Sequence, residues 1–448
     1  MAGEKNWTLL TDLYQLTMAQ SYFRERQFGD ATFSLFIRSY PADRGYFVAA
    51  GLSAVLDYLE DFAFEPAAID YLARQGQFSE DFLNYLSRLR FCGDVWALAE
   101  GQIFFKDEPL LEITAPVIQA QIAETFIINQ LHLQTLIASK AARCVDAAAG
   151  RPVVDFALRR AHGTDAGMKV ARASYLAGFS GTSNVLAGKE YGIPIVGTMA
   201  HSFVSTFERE IDAFRAYAAA FPRGAILLID TYDTLEGARR AVAIAREMAA
   251  RGEQLIGVRI DSGDLAELAR AVRKIFDEAG LPQLKVFASG GLDEFDLARF
   301  SAERVPFDSY GVGTRMGTSA DAPWSDMSYK LVEYQNRPVL KLSTGKVSLP
   351  GRKQVFRRRD PAGGFAGDTI GLRNETLGGE KLLREVMRAG RRTAPSPPLG
   401  ESRALFAAEF AALPAAVKAL RNPQIYPVEL SPALHALRQE VSRKYQEC

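Results

Sequence analysis

Between about Val153 and Gly317 the chain repeats, roughly every thirty residues, a short β-branched run, a cluster of polar or glycine residues, and an amphipathic helix. The runs are PVVDFALRRAHG (152–163), IPIVGTMAHS (193–202), AILLIDTYDT (225–234), LIGVRIDSGD (255–264), KVFASGGLDE (285–294) and SYGVGTRMG (309–317). Strands alternating with helices imply parallel βαβ units. Chemistry gathered just past each strand's C-terminal end is how an α/β barrel presents an active site. The pattern therefore predicts an enzyme built on an irregular, TIM-like α/β barrel.

A chain of 448 residues exceeds one ordinary hydrophobic core, so a second domain is expected. Residues 1–118 mix helices (Thr11 to Arg24, Leu52 to Phe62, Ser79 to Leu89) with strand-like runs such as ATFSLFIRSYP and LLEITAP. The barrel is placed at 119–326, opening with the apolar helix that ends at Gly150. Its clearest helix is SGDLAELARAVRKIFDEAG, with Ser262 as cap, Asp264 at the positive dipole end, and Leu265, Leu268, Val272, Ile275 and Phe276 on one face. Residues 327–448 hold two strands, the basic loop KVSLPGRKQVFRRR, a Pro-rich linker (391–402) and terminal helices. The two flanks are expected to fold together as a smaller α/β domain.

The formal net charge is zero, so no basic field draws the chain to nucleic acid or membrane. Cys92, Cys144 and Cys448 form no CxxC pair, which argues against a disulfide framework or a zinc site. No signal sequence is legible at the N-terminus, and no apolar run reaches the roughly 18 residues of a membrane span. The expectation is a cytoplasmic protein acting on small molecules.

Of the four histidines, His132 and His435 lie in helical runs and read as structural, and His162 is intermediate. His201, after the run IPIVG, sits where a barrel places reacting groups, and a neutral imidazole can accept a proton or a phosphoryl group. Gly290 and Gly291, with Gly311 and Gly313, follow the last two strands, where barrels bind phosphate through unhindered backbone amides. Neither GxGxxG nor GxxxxGK[ST] occurs, so any nucleotide is held by other means. Arg159, Arg160 and Arg259 can clamp an anion, while Asp230, Asp233, Asp261 and Asp264 suit Mg²⁺ or sugar hydroxyls.

The blocks TDLYQLTMAQSYF, FALRRAHGTDAG, GTSNVLAGKEYGIPIVGTMAHSF, DTYDTLEG, RIDSGDL, ASGGLDE and LPGRKQVFR, in this order, resemble the nicotinate phosphoribosyltransferase family over nearly the whole chain. The resemblance implies a type II phosphoribosyltransferase fold and a reaction. Nicotinate and phosphoribosyl pyrophosphate give nicotinate mononucleotide and pyrophosphate, with ATP hydrolysed alongside and Mg²⁺ required. By the same likeness His201 is the phosphorylated histidine, and Asp230 and Asp261 hold ribose hydroxyls or Mg²⁺. Phe156 and a partner subunit's tyrosine matching Tyr14 sandwich the ring, which implies a homodimer with shared sites. Ser183 stands where the related nicotinamide enzyme has an aspartate, and with Arg259 it favours a carboxylate ring substituent. Arg38, Arg159, Arg352 and Lys353 meet the pyrophosphate. Gly290, Gly291, Gly313 and Thr314 meet the 5′-phosphate. Some relatives carry a C-terminal cysteine cluster; only Cys448 stands there here, and no zinc is expected.

The nearest alternatives are quinolinate or nicotinamide phosphoribosyltransferases of the same fold. A barrel aldolase needs a Schiff-base lysine at the strand ends, which offer none. An inactive sensor of pyridine nucleotide or phosphoribosyl pyrophosphate predicts a damaged strand-end set, whereas His201, Arg259, Asp261 and the glycines are intact.

Overall fold

The computed structural model describes residues 6–342 and 348–446. Cys448 and the first two residues of the basic loop, Lys346 and Val347, lie outside the described residues. The chain forms two compact units, Met1–Leu136 with Trp324–Cys448, and Ile137–Pro323. The boundaries thus fall later and earlier than the expected 118/119 and 326/327. The helix Glu124–Ala147 was expected to open the barrel, but its first half places Phe126, Ile127 and Leu131 in the flanking unit's core.

In the flanking unit a seven-stranded sheet is centred on Asp30–Ile37. That strand pairs antiparallel with Leu111–Pro116 on one side and Met327–Tyr334 on the other, so residues from both ends of the chain share one sheet. Phe33 stacks on Tyr329 across the pair, with ring centroids 4.7 Å apart. The basic loop's strand, Lys353–Arg359, lies in a separate four-stranded sheet, where Arg357 is fully buried between Asp368 and Glu409 at 2.6 Å each.

The Ile137–Pro323 unit carries a six-stranded parallel sheet in the order Gly181–Thr182, Val153–Asp155, Ser309–Val312, Lys285–Ala288, Gly257–Ile260, Ile226–Leu228. Helices follow the strands, as the repeat predicts. The helix after Gly257–Ile260 spans Leu265–Glu278 and buries Leu265, Val272 and Phe276, with Leu268 and Ile275 half-buried. Its cap is Asp264, which accepts from the Ala266 and Glu267 amides at 3.1 Å; Ser262 does not cap it. Gly280, at φ +74°, follows the helix end.

Two features differ from the expected ring of strands. The run IPIVG is not a ladder strand: Pro194 has no N–H to donate, and only Ile195 bridges, to Thr182. No described hydrogen bond joins that bridge to Ile226–Leu228, so among the described residues the sheet is not closed. What matters for a site survives, because all six strands point their C-terminal ends the same way, where parallel sheets bind ligands. No helix among the described residues is long and apolar enough to cross a membrane.

Candidate active site

Past those strand ends lies a cavity of about 490 Å³ lined only by residues of the Ile137–Pro323 unit. The structure brings Phe156, Arg159, Ser183, Arg259, Asp261, Gly290, Gly291, Gly313 and Thr314 together around it. They come from the ends of five neighbouring strands, so the site is a consequence of parallel topology.

Phe156 follows the buried Asp155, whose two oxygens accept from the Ala157 amide at 2.8 Å and the Thr182 hydroxyl at 2.7 Å. Burial pushes the Asp155 carboxyl up, against those two donors, which favour its charged form. Asp155 thereby ties the Phe156 turn to the strand that ends beside Ser183, whose own amide donates to the Asp155 carbonyl at 2.9 Å. The Phe156 ring then lies over Gly311, where an added Cβ would meet it at 2.5 Å. The Ser183 hydroxyl has no partner among the described hydrogen bonds and faces the cavity as a spare donor.

Arg259 is tethered on three sides. Its Nη1 donates to Asp261 Oδ1 and Ser289 Oγ, both at 3.1 Å, and its Nη2 donates to the Met199 carbonyl at 2.7 Å. Nε is buried without a partner among the described residues. Burial works against the guanidinium charge, and Asp261 and Asp230 counter it; an arginine stays cationic regardless. A ligand carboxylate in the cavity therefore meets a charge held in place, better organised than a free side chain.

His201 and Asp230 adjoin the cavity. Asp230 Oδ2 accepts from the Asp261 amide at 2.9 Å and from the Ser262 hydroxyl at 2.6 Å. Oδ1 is buried, has no hydrogen-bond partner among the described residues, and stands 4.0 Å from His201 Nε2. The other ring nitrogen, Nδ1, is 3.1 Å from the Thr231 hydroxyl. Whichever tautomer the neutral ring adopts, one of these two nitrogens keeps its lone pair.

The glycines form two cradles. Gly290 (φ +100°) crosses the Asp261 carbonyl so closely that a Cβ would come within 1.9 Å, and Gly291 follows at φ +68°. No described hydrogen bond uses either amide. Gly313 precedes the short helix Thr314–Gly317, and a Cβ there would press on the Phe156 carbonyl at 3.0 Å.

Tyr14, Arg38, Arg352 and Lys353 belong to the other unit. Tyr14 is half exposed, its hydroxyl 3.3 Å from Glu124. Arg38 pairs with Asp326 at 2.6 Å and Arg352 with Glu333 at 2.8 Å. Lys353 requires a correction: it is buried, and its ammonium is spent on Glu112 at 3.0 Å and the carbonyls of Leu349 and Gly351 at 3.2 and 2.7 Å. Buried and neutralised in this way, it is not placed to meet pyrophosphate. Arg160, which the sequence offers as an anion clamp, lines the cavity beside Arg159, as does Ser289, which sequence reasoning missed; it also missed Thr231 and Asp155. The last follows a β-branched pair at a strand end, a signal that was available.

Among the described residues no group of three His, Cys, Asp or Glu is gathered to hold a metal ion. Mg²⁺ commonly binds one or two carboxylates plus substrate phosphates. The unpartnered Oδ1 of Asp230 fits that requirement.

Comparison with known proteins agrees with the geometry. Models of the nicotinate phosphoribosyltransferase N-terminal domain, family and C-terminal domain match residues 9–132, 152–340 and 378–438. Nicotinate phosphoribosyltransferase pncB2 of Mycobacterium tuberculosis is 50% identical over 425 residues, covering 94% of this chain and 91% of the relative. The Bacillus subtilis nicotinate phosphoribosyltransferase is 39% identical over 386 residues, covering 84% and 78%. The crystal structure of human nicotinic acid phosphoribosyltransferase superposes with a TM-score of 0.87 at 31% identity, covering 96% of this chain and 99% of that one. The chain belongs to the nicotinate phosphoribosyltransferase family.

Proposed function

We propose that this chain forms nicotinate mononucleotide and pyrophosphate from nicotinate and phosphoribosyl pyrophosphate, with ATP hydrolysis coupled through phosphorylation of His201. The observation that carries the reading is the convergence, in one cavity, of an aromatic face, a tethered arginine with a spare serine hydroxyl, and glycine cradles.

The pyridine ring lies on Phe156 with its carboxylate toward Arg259 and Ser183. Its nitrogen attacks the ribose anomeric carbon as pyrophosphate leaves. Asp261, whose Oδ1 is held by Arg259, keeps its other oxygen for a ribose hydroxyl. The 5′-phosphate takes the amides of Gly290, Gly291, Gly313 and Thr314. Arg159 and Arg160 are exposed, and neither has a described ion-pair partner, so their charge is available to the leaving group. Arg38 and Arg352 are further candidates for the pyrophosphate. Asp230 or Asp261 would hold a Mg²⁺ ion, which when bound would supply charge neutralisation on the pyrophosphate.

A ring nitrogen of His201 accepts the γ-phosphoryl group of ATP, releasing ADP, and water later returns it as inorganic phosphate. Asp230 steadies the positive charge that the imidazole carries meanwhile. Tyr14 from a partner subunit closes the ring sandwich in a homodimer acting in the cytoplasm. Mixing Tyr14→Ala and His201→Ala subunits, each deficient alone in ATP-coupled synthesis, restores part of the coupled activity if the site is shared.

The deciding experiment is a product assay with phosphoribosyl pyrophosphate, with and without ATP, offering nicotinate, nicotinamide and quinolinate side by side. Turnover of nicotinate with ATP consumed in step supports the reading. Preference for either other acid or amide, or tight binding without turnover, overturns it.

A further inference from the structure

The two glycine arms leave neighbouring strands whose ladder stops short of them. Lys285–Ala288 and Ser309–Val312 pair only at Phe287 with Ser309 and Ala288 with Tyr310. Beyond that point no described backbone hydrogen bond joins the Ser289–Leu292 arm to the Gly313–Thr314 arm. Their separation must be fixed some other way.

We propose that two ion-pair struts set it, and that Lys140 and Arg315 are positioning residues for the phosphate cradle. The inference rests on the cradle assignment above. The outer strut is Arg315, which directly follows Thr314. Its Nη1 lies 2.7 Å from Asp293 Oδ2 and 3.5 Å from Asp296 Oδ2, at the start of the helix that follows the Gly290–Gly291 arm. Burial tends to raise the Asp293 carboxyl, but the Asp296 amide and Arg315 outweigh it and hold it below the usual carboxylate range. Asp293 also caps that helix, accepting from the Phe295 and Asp296 amides at 3.0 and 3.2 Å. One carboxylate thus anchors the end of one arm and grips the start of the other.

The inner strut is Lys140, 1% exposed, on the long helix beneath both arms. Its ammonium pairs with Glu294, which is fully buried and adjoins Asp293, and with Asp321 Oδ1 at 2.7 Å, beyond the Thr314–Gly317 helix. Arg143, also 1% exposed, donates to the other Glu294 oxygen at 2.9 Å. A buried ion pair of this kind adds little stability over well-packed apolar residues, whereas it fixes register. A phosphate needs converging amides at hydrogen-bond distance, so arms that are free to drift apart hold it less tightly. Neither Lys140 nor Arg315 lines the cavity, so their influence is through the arms.

Arg315 is half exposed, so Arg315→Gln is tolerated by the fold. Under saturating nicotinate and ATP, Arg315→Gln is expected to raise KM for phosphoribosyl pyrophosphate about fivefold or more, with kcat and KM for nicotinate unchanged. Competition by inorganic phosphate should weaken by the same factor, and Arg315→Lys should restore most of it. Lys140→Met should show the same split more strongly; should it fail to fold, the Arg315 series decides alone. Gly313→Ala serves as the control for the cradle itself. If Gly313→Ala raises KM for phosphoribosyl pyrophosphate while Arg315→Gln leaves it within about twofold, the struts are wrong and the cradle stands. If Gly313→Ala also leaves it unchanged, the cradle assignment fails and this proposal with it.

Discussion

The Phe156 ring occupies the space that a side chain on Gly311 would fill, with Cδ2 and Cε2 each 2.5 Å from the position of an added Cβ. Gly311 lies within the strand Ser309–Val312 at φ below zero, so its requirement is room, not backbone freedom. Gly311→Ala is expected to lift the ring. Overpacking of this kind costs about 1–3 kcal/mol, which corresponds to a rise in KM for nicotinate of about 5- to 150-fold. Nicotinate titration beside a thermal melt separates ring displacement from general destabilisation.

His201→Asn should leave slow, ATP-independent formation of nicotinate mononucleotide while abolishing ATP hydrolysis in step with product. Simultaneous assay of ADP and nucleotide product checks this. Coupled hydrolysis in the variant would exclude His201 as the acceptor.

Ser183→Asp places a carboxylate where the hydroxyl now faces the cavity. Like charges in a desolvated pocket cost several kcal/mol, so kcat/KM for nicotinate should fall by at least about a hundredfold, with a relative gain for nicotinamide. Competition between the two substrates at fixed phosphoribosyl pyrophosphate gives the ratio directly.

His132 predicts a pH dependence of stability. Its Nε2 accepts from the Ser325 amide at 2.9 Å, a bond that needs the unprotonated nitrogen, and burial lowers its pKa from 6.5. The unfolded chain therefore binds the proton more readily than the folded one. This contribution to stability is complete above 6.5 and is lost as pH falls from there toward the depressed folded value. His132→Gln removes that slope. Urea midpoints on both sides of pH 6.5 for the two proteins should converge under acid, and parallel curves would exclude the histidine as the cause.

The site was legible where periodicity reports strand ends: Phe156, Arg259, Asp261 and the glycine pairs follow β-branched runs whose spacing announces them. It was less legible where one residue type has two local uses. Ser262 reads as a helix cap, yet its hydroxyl holds Asp230 while Asp264 caps. Pro194 inside IPIVG was a warning that this run would not sit in a ladder. Lys353 shows a different limit. Nothing near it in sequence announces that Glu112 waits across the fold to neutralise it. The pairing of Lys140 with Glu294 and Asp321 is equally silent, because contacts between distant positions leave no local period.

The seven-stranded sheet has a consequence for how the chain is made. The strand Asp30–Ile37 emerges from the ribosome early, but one of its two neighbours, Met327–Tyr334, is translated only after the whole Ile137–Pro323 unit. That later unit is continuous in sequence and can complete its sheet first, whereas the strand bearing Phe33 and Leu35 waits with an open edge. Nascent chains are therefore most exposed to aggregation, and most in need of chaperones, while the Ile137–Pro323 unit is being made.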